Sequence, residues 1–247
     1  MTGALTPEET RRYARHIVLK GFGGDGQQKL RSARVAVIGA GGLGSPVIAY
    51  LAAAGIGTLV VIDDDTVSLS NLQRQILHRM DDIEAPKAHS AARFVAALNP
   101  NVAVEIVNRR LDPQNAAELL AGSDVIVEGT DRFDARVAIT AAGEALAIPV
   151  VSGAVSMFDG QVTVFAPHLA DADGRAYPGF RALYPDDPEE GDLPSCEAVG
   201  VLGAVTGVVG TLMAMEAIKL LTGLGDPLLG RLLLYDSRAA RFTELAY

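Results

Sequence analysis

The chain is predicted to be an α/β protein: a Rossmann-like, doubly wound, mostly parallel sheet, extended by antiparallel strands at the C-terminal side. Three observations predict it. Short β-branched runs alternate with longer Ala/Leu-rich stretches from Arg34 to Ser152. The runs are continuously apolar, as strands covered on both faces are. A glycine-rich turn, GAGGLG, joins the first run to the first Ala/Leu-rich stretch, where a nucleotide-binding βαβ unit has its phosphate turn.

The elements follow in order. Residues 1–33 form an N-terminal helical segment. Pro7–Leu30 holds two short helical patterns, the first opened by TPEE, a capping residue followed by proline at the first helical position. Residues 34–153 form the nucleotide-binding half. Its strands are predicted at Arg34–Ile38, Thr58–Ile62, Ala103–Val107, Asp124–Val127 and Pro149–Ser152. Its helices are predicted at Leu43–Ala54, Pro86–Leu98, Pro113–Ala121 and Arg132–Ala147. After Ser152 the pattern changes. Gly160–Pro167, RLLLYD and ARFTELAY read as strands joined by short turns, hence antiparallel. Between them, residues 168–194 are rich in proline, acidic residues and glycine and are expected to be a long, exposed, mobile loop. A helix is predicted at Val201–Leu221. The whole, 1–247, is read as one domain.

Composition narrows the function classes. The chain has 247 residues, 49% hydrophobic, and a net charge of −9, so it has enough apolar material for a sizeable core. No basic stripe is present, and binding to nucleic acid phosphates needs one. The N-terminus is polar and charged, unlike a secretory signal. The apolar run from Val199 to Met215 is interrupted by glycines and reads as a buried helix rather than a membrane span. A single cysteine excludes an internal disulfide. The expectation is a cytoplasmic protein without a membrane or nucleic acid partner.

The chemistry concentrates in two linked motifs. Gly39, Gly41, Gly42 and Gly44 fit G-x-G-x-x-G after a strand and before a helix, where backbone N–H groups approach a phosphate without a Cβ in the way. Asp63 ends the next strand about twenty residues on, where a carboxylate accepts hydrogen bonds from ribose hydroxyls. On these features alone a nicotinamide-dependent oxidoreductase is an open reading. The segment SLSNLQRQ then adds Ser70, Asn71, Leu72, Gln73, Arg74 and Gln75. Lys87 follows at a helix start, and Asp131 and Arg132 follow the fourth strand. Arg74 suits a fork onto phosphate oxygens and Lys87 a point charge. Asp131 suits magnesium, which takes one or two carboxylates together with phosphate oxygens. This inventory points to a triphosphate rather than a hydride-transfer cofactor. Taken singly, the two cations are also readable as solvated surface charges and Asp131 as a turn residue.

Together these residues resemble the MoeB/ThiF family, relatives of the adenylation domain of ubiquitin-activating enzyme. The resemblance runs through RRYARHIVLKGFGGDGQQKL, GAGGLGS, DDDTVSLSNLQRQILH, APKA, GTD, VSGAVSMFDGQVTVF, PSCEAVGVLGAVTGVVG and MEAIKLL, in the family's order over nearly the whole chain. It implies ATP with Mg²⁺, and adenylation of the glycine-ending tail of a small ubiquitin-like sulfur carrier. Pyrophosphate leaves before a separate donor supplies sulfur to form a thiocarboxylate. It further implies nucleotide contacts from Gly42 and its neighbours, ribose binding by Asp63, phosphate contacts from Asn71, Arg74 and Lys87, and magnesium at Asp131. Arg15 matches an arginine that reaches the neighbouring protomer's triphosphate, which implies a homodimer. Without the resemblance Arg15 reads as a surface residue.

The chain departs from the pattern in two places. Many relatives hold a structural zinc with two C-x-x-C pairs. Here Gly179 and Ala182 stand where the first pair would be, and no second pair precedes Tyr247, so no zinc is expected. Nor is a rhodanese-like extension expected, so that sulfur would come from another protein. Cys196 matches a cysteine that some relatives use for a covalent link to the carrier, but a lone cysteine is more often a small apolar residue. His16, His78, His89 and His168 show no metal-ligand spacing and are expected at the surface or at caps. The carrier is left open between a molybdopterin-synthase small subunit and a thiamine-pathway carrier, with siderophore- or cysteine-pathway carriers behind them. A non-catalytic scaffold is the third class of reading, and the retained phosphate-directed residues argue against it.

Overall fold

The computed structural model describes residues 4–187 and 199–247. The N-terminal segment forms helices α1 (Pro7–Arg12), α2 (Ala14–Ile17) and α3 (Gly23–Ser32). The α1 start is a capping box: the Glu9 N–H donates to Thr6 Oγ1 at 3.1 Å and the Thr6 N–H to Glu9 Oε2 at 2.7 Å. The parallel strands are β1 (Arg34–Ile38), β2 (Thr58–Ile62), β3 (Ala103–Val107), β4 (Val125–Glu128) and β5 (Val150–Ser156). They alternate with α4 (Gly44–Ala54), α5 (Lys87–Leu98), α6 (Ala116–Leu120) and α7 (Phe133–Ala145). Then follow β6 (Asp159–Phe165), α8 (Phe180–Leu183), α9 (Gly203–Thr222), β7 (Arg231–Asp236) and β8 (Arg241–Ala246).

All eight strands join one sheet in the order β3-β2-β1-β4-β5-β6-β7-β8. Pairing is parallel as far as β5 and antiparallel from there to β8. The predicted architecture is therefore observed. Side-chain alternation divides the core into two layers. Val35, Val37, Leu59 and Val127 face Ile48 and Leu51 of α4, Ala91 and Val95 of α5, and Val209 and Met213 of α9. Ala36, Ile38, Val60 and Ile126 face the opposite layer, with Leu120 of α6, Ile139 of α7 and Phe180 of α8. The helix α9 is long and apolar enough to cross a membrane by length and composition, but Val205, Val209, Met213 and Ala217 lie in this core.

Three sequence expectations change. Predicted as a strand covered on both faces, β3 sits at the sheet edge and is largely exposed. Residues 168–194 were expected to be exposed throughout, but the described part carries structure. The Asp171 carboxylate accepts the N–H groups of Asp173 and Arg175, both at 2.9 Å, closing a turn. Phe180 is then buried against Phe165 and Phe133, with ring centroids 5.5 and 5.6 Å away. The polar composition of the segment hides two aromatic anchors, Phe180 and Tyr184. Residues 188–194 lie outside the described residues. The third change is His78, expected at the surface or a cap and found buried. His89 and His168 are exposed, and His16 is half-buried with Nδ1 3.0 Å from Gln27 Oε1.

Candidate functional site

The strand order reverses at β1, with β2 on one side and β4 on the other. In an open α/β sheet such a switch point leaves a crevice beyond the carboxyl ends of the strands. The crevice here has a volume of about 1490 Å³. It is walled by the loops after β1, β2 and β4, and it continues past them along Ala154, Gln161 and Tyr235 of β5, β6 and β7.

The glycine turn forms its floor. Gly39 has φ +92°, a conformation that side chains rarely adopt. A Cβ on Gly44 would lie 1.8 Å from the Gly39 carbonyl oxygen, so this glycine closes the turn and is not part of the crevice wall. Gly41 and Gly42 line the crevice, and their N–H groups donate to no acceptor among the described residues. They stand at the N-terminus of α4, where unsatisfied donors and the helix dipole favour an anion. A Cβ on Gly42 would come within 3.1 Å of Thr206 Cγ2 and 3.5 Å of Arg74 Cγ, so the space above the turn depends on glycine.

Asp63 follows β2 and braces the turn. Its Oδ2 accepts the Ala40 N–H at 2.7 Å and its Oδ1 the Asp65 N–H at 2.9 Å. Burial pushes its carboxyl above the ordinary value, while Lys87 and these two N–H groups pull the other way. Each oxygen keeps acceptor capacity for a hydroxyl in the crevice.

Two cations face this floor. Arg74 is half-buried and lines the crevice, with Nη1 donating to the Ser70 carbonyl at 3.2 Å. Lys87, first residue of α5, is buried, with Nζ 2.8 Å from Asp65 Oδ2. Across the crevice, Asp131 is exposed and neither hydrogen-bonded nor ion-paired among the described residues. Arg132 also lines the crevice but is ion-paired to Asp134. Gln75 lines it too, and its buried Oε1 has no hydrogen-bond partner.

The structure does not bring every predicted residue to the crevice. Ser70, Asn71, Leu72 and Gln73 are not part of its wall. Asn71 is buried in a 3₁₀ turn, Leu69–Asn71, where its Oδ1 accepts the Ser68 N–H at 3.2 Å. Arg15 lies exposed on α2, away from this chain's crevice. Cys196 lies outside the described residues.

Sequence reasoning missed the support beneath the Asp131 loop. Glu128 is fully buried at the end of β4. Its Oε1 is 3.0 Å from Arg136 Nε and accepts the Ser152 hydroxyl, and its Oε2 accepts the Thr130 N–H at 3.2 Å. Arg136 Nη2 donates to the carbonyls of Thr130 at 2.9 Å and Gly153 at 3.2 Å. The one available signal was a glutamate ending an otherwise apolar strand, which demands a partner.

The donor set fits a triphosphate and a hard cation. Free N–H groups and one fork-like and one point cation await anionic oxygens, while the orphaned buried Gln75 amide oxygen awaits a donor. Among the described residues no group of three or more His, Cys, Asp or Glu side chains is placed to hold a metal. A cation at Asp131 would therefore depend on phosphate oxygens and water for its remaining ligands, as magnesium does in nucleotide sites.

The chain is similar to known proteins along nearly its whole length. Residues 13–247 match the model of the ThiF family. The chain is 48% identical over 247 residues to the SAMP-activating enzyme E1 of Haloferax volcanii, covering 100% of this chain and 88% of that protein. It is 41% identical over 241 residues to the molybdopterin-synthase adenylyltransferase of Escherichia coli, covering 98% of this chain and 94% of that protein. Among solved structures, PaaA superposes with a TM-score of 0.82 at 26% identity, covering 100% of this chain and 76% of the other.

Proposed function

The chain belongs to the ThiF family, and from that premise we propose that it is an ATP-dependent adenylyltransferase acting on the C-terminal carboxylate of a small, ubiquitin-like sulfur carrier. One observation carries the reading. The crevice that gathers the triphosphate-directed groups also continues along β5, β6 and β7, to about 1490 Å³ in all. Pockets for a single small ligand run to roughly 300–1,000 Å³. The extra length gives an extended peptide tail a path to the nucleotide.

In this reading the Asp63 carboxylate accepts a ribose hydroxyl, and the phosphates lie over the N–H groups of Gly41 and Gly42. Arg74 and Lys87 offset the negative charge on the β- and γ-phosphates. Asp131 holds magnesium, which when bound neutralises charge on the departing pyrophosphate. The carrier's terminal carboxylate attacks the α-phosphorus. The new bond is acyl O–P, the bond broken joins Pα to the bridging oxygen, and that oxygen keeps the electron pair as pyrophosphate leaves. No general base is required, because the carboxylate is ionised at neutral pH. The protein's part is positioning and charge stabilisation. The site is completed by Arg15 of a second copy in a homodimer, and a separate donor supplies the sulfur that turns the adenylate into a thiocarboxylate.

The acceptor we propose is a carrier of the molybdopterin-synthase small-subunit type, with a thiamine-pathway carrier as the alternative. The test is ATP–pyrophosphate exchange with a panel of Gly-Gly-ended carriers. Exchange is expected with at least one of them. Its absence with all, together with nicotinamide binding, would sink the reading.

A further inference from the structure

The reading above explains the crevice wall but not the polar residues packed behind it. His78 is 6% exposed, a site that an apolar side chain would fill at lower desolvation cost. Its ring is held at both nitrogens. Nε2 lies 2.8 Å from the Ala40 carbonyl oxygen, and Nδ1 lies 2.8 Å from Ser90 Oγ. A carbonyl oxygen only accepts, so Nε2 carries the hydrogen and donates to Ala40.

The Ala40 peptide is the middle of the glycine turn. Its N–H donates to Asp63 Oδ2 at 2.7 Å while its carbonyl accepts from His78. Among the described residues these are the side-chain hydrogen bonds that reach the turn, and both fall on this one residue. A run of glycines imposes little conformation of its own. The direction of the Gly41 and Gly42 N–H groups is thus set from outside, by a peptide clamped on both sides.

The far side of the ring leads to α5. Ser90 Oγ lies 2.8 Å from both His78 Nδ1 and Asp82 Oδ2, and its single hydroxyl hydrogen goes to Asp82 when Nδ1 is protonated and to Nδ1 when it is not; Asp82 is also ion-paired to the half-exposed Arg93. Ser90 sits one turn beyond Lys87 on the same helix. A chain of polar contacts therefore joins the turn that cradles phosphate to the helix that presents the phosphate-directed lysine.

We propose that His78 is a positioning residue of the nucleotide site, which by donating from Nε2 to the Ala40 carbonyl fixes the glycine turn, in register with Lys87, in the shape that binds the triphosphate. This rests on the reading that the crevice binds ATP.

The test compares wild type with His78→Phe, which fills the volume without a donor, His78→Gln, which retains an amide donor, and Ser90→Ala, which loosens the ring's anchor. Binding of a non-hydrolysable ATP analogue by titration calorimetry needs no carrier, and pyrophosphate exchange then supplies KM for ATP and kcat. His78→Phe is expected to weaken analogue binding and raise KM about tenfold or more with kcat changed less than threefold. His78→Gln is expected within threefold of wild type, and Ser90→Ala between the two. If wild type binds no analogue, the ATP reading itself fails and this inference with it. Should wild type bind and His78→Phe bind equally well, the positioning role is overturned while the ATP reading stands. Equal losses in the Phe and Gln variants would overturn it as well, since the ring would then act by packing alone. If His78→Phe does not fold, an unchanged KM in Ser90→Ala or a Phe-like loss in His78→Gln still overturns it.

Discussion

Removing Arg136 isolates a charge that the fold cannot resolvate. Glu128 is fully buried, and Arg136 is its ion-pair partner, with Nε 3.0 Å from Oε1. In Arg136→Leu the carboxylate keeps the Thr130 N–H and the Ser152 hydroxyl but loses its only nearby cation among the described residues. The carbonyls of Thr130 and Gly153 lose a donor at the same time. Breaking a buried pair by removing one partner costs about 3–5 kcal/mol. Two remaining hydrogen bonds to Glu128 place the expected loss near the lower end, about 3 kcal/mol. That is a large part of the roughly 5–15 kcal/mol by which domains are stable. At about 2–4 °C per kcal/mol for a chain of this size, it lowers Tm by roughly 10 °C. The double variant Glu128→Gln/Arg136→Leu removes the stranded charge and is expected to recover about half of the loss. Urea unfolding and thermal scans measure the stability, and pyrophosphate exchange reads whether the Thr130–Asp131 loop has lost its aim. A single variant within about 2 °C of wild type, with no recovery in the double, would refute the assignment of a stabilising ion pair here.

Other expected outcomes concern the crevice. Lys87→Met keeps the aliphatic stem but removes the charge, and is expected to lower exchange by about 10²–10³, the range for loss of one preorganised charge-stabilising donor. Its partner Asp65 is 60% exposed at the side chain, so the stability change should stay under about 1 kcal/mol, which thermal scans will check. For Asp63 the sign runs opposite to that of Glu9 and Asp82, whose carboxyls lie below the ordinary value. Burial raises its carboxyl above the unfolded value, so the ionised form detracts from stability above that value, and the deficit disappears as pH falls through the folded value. Asp63→Asn removes that charge but sets an amide N–H against one of the two backbone N–H groups that Asp63 accepts, so it is expected to be less stable than wild type at pH 7, with the gap widening as pH falls toward the ordinary carboxylate range and wild type sheds its deficit. The same variant should raise KM for ATP about tenfold, and paired thermal scans at pH 7 and pH 4.5 with exchange kinetics would show whether the two effects separate. Arg15→Ala and Asp131→Ala should each abolish exchange. Mixed in equal amounts and allowed to exchange subunits, half of the dimers are mixed and each has one intact composite site, giving about a quarter of wild-type activity. No recovery above the single variants would refute a site shared between protomers.

The parallel half of the fold was legible because its strands carry their own signal. Val35–Ile38, Leu59–Ile62 and Val125–Val127 are apolar at consecutive positions, and both layers of the core use them. The same logic misread β3, whose Ala, Val and Ile residues satisfy the pattern although the strand has a neighbour on one side only. Edge position is a property of strand order, and strand order is not local. Residues 168–187 failed for the reverse reason. Their composition is that of a loop, and two aromatic residues, Phe180 and Tyr184, suffice to pin one turn of helix against Phe133 and Phe165.

At the site, legibility followed from which atoms do the work. Where the main chain or a strand-end position fixes the role, as at Gly41, Gly42, Asp63 and Asp131, spacing along the chain located the residue, and the structure sets each on the crevice. Within SLSNLQRQ, spacing did not settle which side chains face inward. Arg74 and Gln75 do, whereas Asn71 is used to cap its own turn. The polar groups behind the wall were the least visible, because Glu128 and His78 owe their meaning to partners 8 to 38 residues away: Arg136, Ser152 and Ser90 at one range, Ala40 at the other. Those two residues nonetheless share a logic. Each is buried just behind a loop that emerges from a parallel strand, and each bonds that loop's backbone with one side-chain atom and a neighbouring element with another. A turn rich in glycine and a turn ending in an exposed carboxylate have little to hold their own shape. On the proposed reading the crevice must offer N–H groups and a metal-binding oxygen at fixed places, and that needs its floor and its far wall pinned from the protein side. A buried histidine under the first loop and a buried ion pair under the second are what supplies that here, at a desolvation cost that an apolar core would not carry.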